Sequence, residues 1–171
     1  QDSLNASILG PDAGVESAEF ALFIKEAVTE ITTKAGQKCT ATRRLIVPAG
    51  MMDAVGEALA DKLGAITVGN PAAEGVRMGA LASHAQKADV LARLAQLQAE
   101  ARLIHGDPAK MALVDADPAQ AFLPPMLLAC DDPDAAHVVH EVEAFGPLST
   151  LMPYRDTAHA AALANRGGGS L

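Results

Sequence analysis

The sequence predicts an α/β protein in which a mainly parallel β-sheet carries helices on both faces. Stretches with apolar residues at helical spacing alternate with short runs rich in Leu, Ile and Val. The connections between successive strands are long enough to hold a helix, which favours crossovers and parallel pairing. Half of the residues are hydrophobic and only 3% are aromatic, so we expect a core of aliphatic side chains. A chain of 171 residues can form one domain with a substantial core.

The first half of the chain contains predicted strands at 6–9, 44–47 and 65–68. The first helix begins behind Ser17, a suitable N-cap, and stops at Gly36. Its apolar residues recur at helical spacing: Phe20, Phe23, Ile24, Ala27, Val28 and Ile31. A second amphipathic helix follows the second strand, and its apolar face consists of Met52, Val55, Leu59 and Leu63.

The third helix is expected after a loop rich in Gly, Pro and Asn. The pattern Ser83-x-x-Gln86 is a capping box, in which each side chain satisfies a backbone N–H of the other residue. The inner side of this helix is predicted to hold Leu91, Leu94, Leu97 and Ala101.

The last part of the chain continues the alternation. Strands are expected at 102–104, from Pro124-Pro125 up to residue 128, and at 149–152. Residues 106–120 are polar and form a surface loop. Asp156 caps a final helix through residue 164.

Charge and composition exclude several functional classes. The net charge of -8 argues against nucleic acid or an anionic membrane as a partner. No apolar run approaches the roughly 20 residues that span a bilayer, and no signal-peptide pattern is present. Two cysteines are too few for a disulfide framework, which favours a cytoplasmic location.

The segment 32–44 holds the first candidate for chemistry, Cys39. Nearby cations favour a nucleophilic thiolate, whereas burial in an apolar site opposes it. The cations close in sequence are Lys34, Lys38, Arg43 and Arg44. From the residues alone, Cys39 is either a reactive thiol or a small buried hydrophobe. The two arginines could also bind a carboxylate or a phosphate.

Two motifs give the chain a family resemblance. Gly36-Gln37-x-Cys39 followed by Arg44 resembles the active-site cysteine signature of the aldehyde dehydrogenase superfamily. Far downstream, residues 143–147 resemble its Glu-x-Phe-Gly-Pro segment, and residues 68–71 and 78–81 are also similar to family sequence. More narrowly, residues 2–5, 32–48 and 167–171 resemble the dehydrogenase half of the bifunctional ring-opening proteins of bacterial phenylacetate catabolism.

The resemblance implies a reaction and roles for three residues. Cys39 would add to an aldehyde, and the adduct would pass a hydride to NADP (or NAD). A thioester on the cysteine would remain. Its backbone N–H would be one oxyanion donor. Glu143 and Phe145 would position the nicotinamide ribose and ring. Arg44, which matches the family arginine five residues after the cysteine, would be structural.

The resemblance also implies that residues 1–171 are a catalytic-domain fragment of the aldehyde dehydrogenase fold, truncated at both ends. The domain that binds most of the cofactor, the general-base glutamate and any hydratase domain would lie outside it. The isolated chain is therefore expected to be inactive. In the intact protein, a homo-oligomer is expected.

Three functions remain open at this point. The first is oxidation of a CoA-linked semialdehyde in phenylacetate degradation. The second is a dehydroadipyl-CoA semialdehyde dehydrogenase of aerobic benzoate degradation, and the third is a catalytically silent assembly module. The pattern His137-x-x-His140-Glu141 has metal-ligand spacing on a partly exposed helix, but no third soft ligand accompanies it, so no metal site is predicted.

Overall fold

The structure, a computed structural model, describes residues 3–168 and 170–171. The resemblances at residues 2–5 and 167–171 therefore lie partly outside the described residues. Five strands form one sheet in the order β1-β2-β5-β4-β3. The strands are β1 (Ala6–Ile8), β2 (Arg44–Pro48), β3 (Arg102–His105), β4 (Met126–Ala129) and β5 (Leu148–Tyr154).

The pairing of these strands confirms the mainly parallel sheet. β1 with β2, β2 with β5, and β5 with β4 are parallel, whereas β3 joins the edge antiparallel to β4. The prediction of a strand at 65–68 was wrong. This segment forms only isolated bridges, from Val68 to Met78 and from Gly69 to Val114, because it pairs with loop residues and not with a strand.

Helices cover both faces of the sheet, as predicted. They are α1 (Ala18–Thr32), α2 (Met52–Gly64), α3 (His84–Leu97), α4 (Val138–Glu141) and α5 (Thr157–Asn165). Alternation along β2 divides the core, since Leu45 and Val47 pack with α1 and α2, whereas Ile46 packs in the cluster containing residues of α3 and α5. No helix among the described residues is long and apolar enough to cross a membrane.

The helix starts follow the predicted caps, but two details differ. Ser17, Ser83 and Asp156 each accept a hydrogen bond from the backbone N–H three residues later. However, the Gln86 side chain does not complete the capping box, because it donates to the Phe145 carbonyl oxygen instead. Helix α1 ends at Thr32 rather than at Gly36.

Candidate active site

Two motif-bearing segments meet at one edge of the sheet. The cysteine loop, defined here as residues 33–42, leads directly into β2, and the 143–147 segment leads directly into β5. β2 and β5 are adjacent and parallel, with Arg44 opposite Thr150. Their entry segments must therefore lie side by side. The sheet topology thus brings together motifs that are about a hundred residues apart in sequence.

Arg43 joins the two segments directly. Its Nη2 donates to the Gly36 carbonyl oxygen in the cysteine loop at 2.8 Å. Its Nη1 donates to the Gly146 carbonyl oxygen at 2.9 Å, and its Nε donates to Glu143 Oε1 at 3.1 Å. The guanidinium also lies 5.4 Å from the centre of the Phe145 ring. The predicted binding of a carboxylate by Arg43 is therefore met within the chain itself.

A left-handed turn precedes Cys39 in the cysteine loop. Lys34, Ala35 and Gly36 all have positive φ, at 54°, 52° and 69°. This conformation costs free energy in residues that carry a Cβ, so it persists only where its surroundings hold it. Gly36 is required here for a second reason: a Cβ would overlap the Gly146 carbonyl oxygen. This turn is why α1 stops before Gly36.

Asn5 anchors the other end of the cysteine loop. Its buried Nδ2 donates to the carbonyl oxygens of Cys39 and Ala41 at 2.8 and 3.2 Å. Its own backbone carbonyl accepts from the N–H groups of Arg43 and Arg44. No acceptor among the described residues pairs with the Cys39 N–H. It is the donor that the family resemblance assigns to the oxyanion.

The cationic surroundings predicted for Cys39 are largely committed elsewhere. Lys38 pairs with Glu30 at 2.8 Å, and the Arg43 guanidinium serves Glu143 and two carbonyls. Arg44 points away into the core. The Cys39 side chain is exposed, so the alternative that it is a small buried hydrophobe was wrong. That description fits Cys130, whose burial raises the pKa of its thiol to about 11.

The residues predicted to meet a cofactor, Glu143 and Phe145, both lie beside the Arg43 guanidinium. Glu143 Oε2 accepts from the Ser3 N–H at 2.9 Å, so each carboxylate oxygen holds one hydrogen bond and keeps a lone pair. The Phe145 side chain is half-buried.

Arg44 and His140 belong to the fold rather than to the site. The Arg44 guanidinium donates to the carbonyl oxygens of Leu4, Leu163 and Ala164. Burial and the nearby Arg166 charge lower its pKa to about 10. The helix that carries His140 is partly exposed, as expected, but His140 lies on its buried side, with its ring between Arg44 and the Pro133 carbonyl.

The remaining metal candidates have other surroundings. The His137 backbone N–H donates to Glu100, and Glu141 is exposed. Throughout residues 3–168 and 170–171, no group of three or more His, Cys, Asp or Glu side chains could hold a metal ion.

Sequence reasoning missed Asn5, Ser3 and Gln86 as supports of the site. Asn5 and Ser3 carry no local signal, because their partners lie far along the chain. Gln86 did carry a signal, but it was assigned to the capping box. Its real acceptor, the Phe145 carbonyl, lies 59 positions later.

Comparison with known proteins supports the family resemblance. A family model described as "Aldehyde dehydrogenase family" matches residues 10–169. A protein from Aromatoleum evansii named 3,4-dehydroadipyl-CoA semialdehyde dehydrogenase is 50% identical, over 99% of this chain and 33% of that protein. Protein MaoC of Klebsiella aerogenes is 47% identical over 55% of this chain and 27% of that protein. The chain thus spans a third or less of these relatives.

Solved structures share the fold. Aldehyde dehydrogenase C from Pseudomonas syringae, in complex with NAD+ and octanal, superposes with a TM-score of 0.81 at 29% identity. Betaine aldehyde dehydrogenase from Staphylococcus aureus, in complex with NAD+, gives a TM-score of 0.83 at 26% identity. Each match covers 96% of this chain and 32% of the other chain.

Proposed function

Because the chain belongs to the aldehyde dehydrogenase family, we propose that it carries the nucleophile of an NAD(P)-dependent aldehyde dehydrogenase. The observation that carries this proposal is the meeting of the cysteine loop with the 143–147 segment, joined by Arg43. In the proposed reaction the Cys39 Sγ adds to the aldehyde carbon, and the carbonyl oxygen becomes an oxyanion. The unpaired Cys39 N–H stabilises that oxyanion.

The thiohemiacetal then loses a hydride and becomes a thioester, which water cleaves to the acid and the free thiol. A nicotinamide, when bound, accepts the hydride. Glu143 would hold the ribose through the lone pairs that Arg43 and Ser3 leave free, and Phe145 would lie against the ring. The general base for the water and most of the cofactor contacts belong, in this proposal, to the rest of the full-length protein. The isolated chain is then inactive.

We propose a CoA-linked semialdehyde from aromatic degradation as the substrate. The Aromatoleum evansii relative favours the dehydroadipyl-CoA semialdehyde of the benzoate route. The narrower resemblance of residues 32–48 favours the phenylacetate route. Both substrates share an anionic CoA group, which we call the handle. A cationic surface of this chain would bind its phosphates. A cytoplasmic homo-oligomer remains part of the proposal.

A groove along α1 offers a place for that handle. Its volume is about 720 Å³, and its apolar floor includes Phe20, Ile24 and Ile66. The charged side chains that line it are all cationic: Lys25, Lys62 and Arg77. None of the three forms an ion pair within the described residues, although the chain carries a net charge of -8. An adjoining cavity continues the groove to Thr32 and Thr33, at the start of the cysteine loop. Phosphates and adenine suit such a surface.

The test uses the full-length protein that carries this chain. We expect Cys39→Ala to lower kcat for aldehyde oxidation by at least about a thousandfold, with cofactor affinity unchanged, because the nucleophile serves chemistry rather than docking. Cys130→Ala is the matched control and should keep kcat within a few-fold. Steady-state kinetics with NAD and NADP measure both. Full activity in Cys39→Ala would exclude the proposed mechanism, and an inactive wild-type protein would favour the assembly module.

A further inference from the structure

Arg43 is the side chain that holds the two halves of the candidate site together. Only 4% of its surface is exposed, and the three nitrogens of its guanidinium bond to three different residues. One of them, Gly36, lies in the cysteine loop, and the other two lie in the 143–147 segment. The family motif places its arginine one residue later, at Arg44, so the motif assigns no role to Arg43.

We propose that Arg43 is a positioning residue that couples the placement of Cys39 to the placement of Glu143 and Phe145. A shift of either segment would then be transmitted to the other through one planar guanidinium. The consequence for catalysis rests on the proposed function. The mechanical coupling between the two segments does not.

The cysteine-loop end of this coupling is under strain. Lys34 and Ala35 hold a left-handed backbone, which an isolated loop of these residues would leave for a less costly conformation. The Gly36 carbonyl oxygen, directly after them, accepts from Arg43 Nη2. The Lys38 and Gln37 amides close the turn locally. Among residues 3–168 and 170–171, Arg43 is the only residue whose side chain donates to the Gly36 carbonyl, so removing the guanidinium would loosen the turn.

At the 143–147 segment, Arg43 is paired with the charged carboxylate of Glu143. Glu143 is mostly buried and pairs with Arg43, while its second oxygen holds the Ser3 amide. Burial lowers the pKa of Arg43, and the Glu143 carboxylate opposes that shift, so the two charges depend on each other. A buried carboxylate that loses its cation must move toward water or take up a proton. Loss of Arg43 would therefore displace the group proposed to hold the ribose.

Arg44 provides a matched control. It is an adjacent, fully buried arginine with a comparable number of hydrogen bonds, but its partners are Leu4, Leu163, Ala164 and His140. None of these lies in the cysteine loop or the 143–147 segment. Leu4 lies between Ser3 and Asn5, so a change at Arg44 should weaken the fold and reach the two segments only indirectly.

The decisive experiment is amide hydrogen exchange on the full-length protein, followed by mass spectrometry of peptides that cover residues 36–42. Glu143→Gln touches no atom of the cysteine loop, yet it removes the charge partner of Arg43. We expect exchange in that peptide to speed up by about tenfold or more, in line with the loss of a charge-assisted hydrogen bond. Arg43→Gln should do the same, and Arg43→Lys should give a smaller increase. Glu141→Gln, an exposed neighbour, should leave the local rate unchanged relative to the global one, and Arg44→Lys should change it less than Arg43→Lys does.

Steady-state kinetics of the variants then measure how the coupling affects catalysis. Arg43→Lys should lower kcat and raise the KM for the nicotinamide cofactor together, whereas Arg44→Lys should lower thermal stability with smaller changes in both constants. Unchanged exchange in Glu143→Gln would overturn the coupling, even if every Arg43 variant failed to fold. If exchange responds but the wild-type protein oxidises no aldehyde, the coupling stands and the proposed function fails.

Discussion

The two cysteines differ in their exposure to solvent, and we expect their reactivity to differ accordingly. Cys39 is exposed on a loop, whereas Cys130 is buried and its thiol has a pKa of about 11. We expect iodoacetamide at pH 7 to label Cys39 more than about tenfold faster than Cys130, because alkylation requires an accessible thiolate. Peptide mass spectrometry after timed labelling of this chain measures both rates. Equal rates would mean that Cys39 is protected in solution.

His140 should link stability to pH. Arg44 Nη1 can only donate, so His140 Nδ1 is the acceptor and Nε2–H donates to the Pro133 carbonyl. Burial, together with the Arg166 and Arg44 charges, lowers the pKa of His140. Below the unfolded value of about 6.5, the unfolded chain therefore binds more protons than the folded one. Stability should fall as pH drops below about 6.5, by up to about 1.4 kcal/mol per pH unit.

The matched variant is His140→Gln, whose amide can accept from Arg44 and donate to Pro133. Its free energy of unfolding, from urea titrations between pH 7.5 and 5, should lose that part of the slope. A slope identical to that of the wild-type chain would show that His140 is already charged in the folded state.

At the scale of elements, the left-handed turn before Cys39 depends on Gly36. Gly36→Ala would strain the backbone and drive a methyl group into the Gly146 carbonyl oxygen. We expect the free energy of unfolding to fall by at least about 2 kcal/mol. Gly14→Ala is the control, since nothing lies within 4 Å of the added methyl group, and it should stay within about 0.5 kcal/mol of wild type. Chemical denaturation of the two variants compares them, and equal losses would contradict the close approach.

Local patterns predicted the regular elements better than the connections between them. Ser17, Ser83 and Asp156 act through backbone groups only three residues away, so their caps could be inferred from sequence. The turn at Lys34 and Ala35 could not, because contacts with residues about a hundred positions later hold it. The strand expected at 65–68 failed for the related reason that β-propensity does not supply a partner strand.

At the scale of the whole molecule, the chain keeps a cationic groove despite its acidic balance. If CoA lies along α1, the double variant Lys25→Glu/Lys62→Glu should raise the KM for a CoA-linked aldehyde by about tenfold in the full-length protein. The KM for a short unlinked aldehyde should not change, because attraction of the phosphates is what the variant removes. Lys110→Glu, on an exposed loop outside the lining of the groove, is the control. Equal effects on both aldehydes would place the handle elsewhere.

The parallel sheet itself could be predicted, since the alternation of elements determines it. The roles of Cys39, Glu143 and Phe145, which rest on the family resemblance, stay predictions. The meeting of these residues at one edge of the sheet required the strand order, because β5 lies between β2 and β4 in space but not in sequence. The role proposed for Arg43 could not be predicted from sequence, because its partners Glu143 and Gly146 lie about a hundred positions later.

The bonds that fix the cysteine loop also bear on the order of folding. Arg43 bonds to residues 100 and 103 positions later, and Ser149 donates to the Thr42 carbonyl across 107 positions. Such contacts close late, because the chain must first lose the entropy of a long loop. The cysteine loop, which is synthesised before β5, would therefore lack these bonds until β5 inserts between β2 and β4. If a pulse of alkylating reagent is applied at successive times during refolding, the rate at which Cys39 reacts should change when β5 inserts rather than when α1 forms.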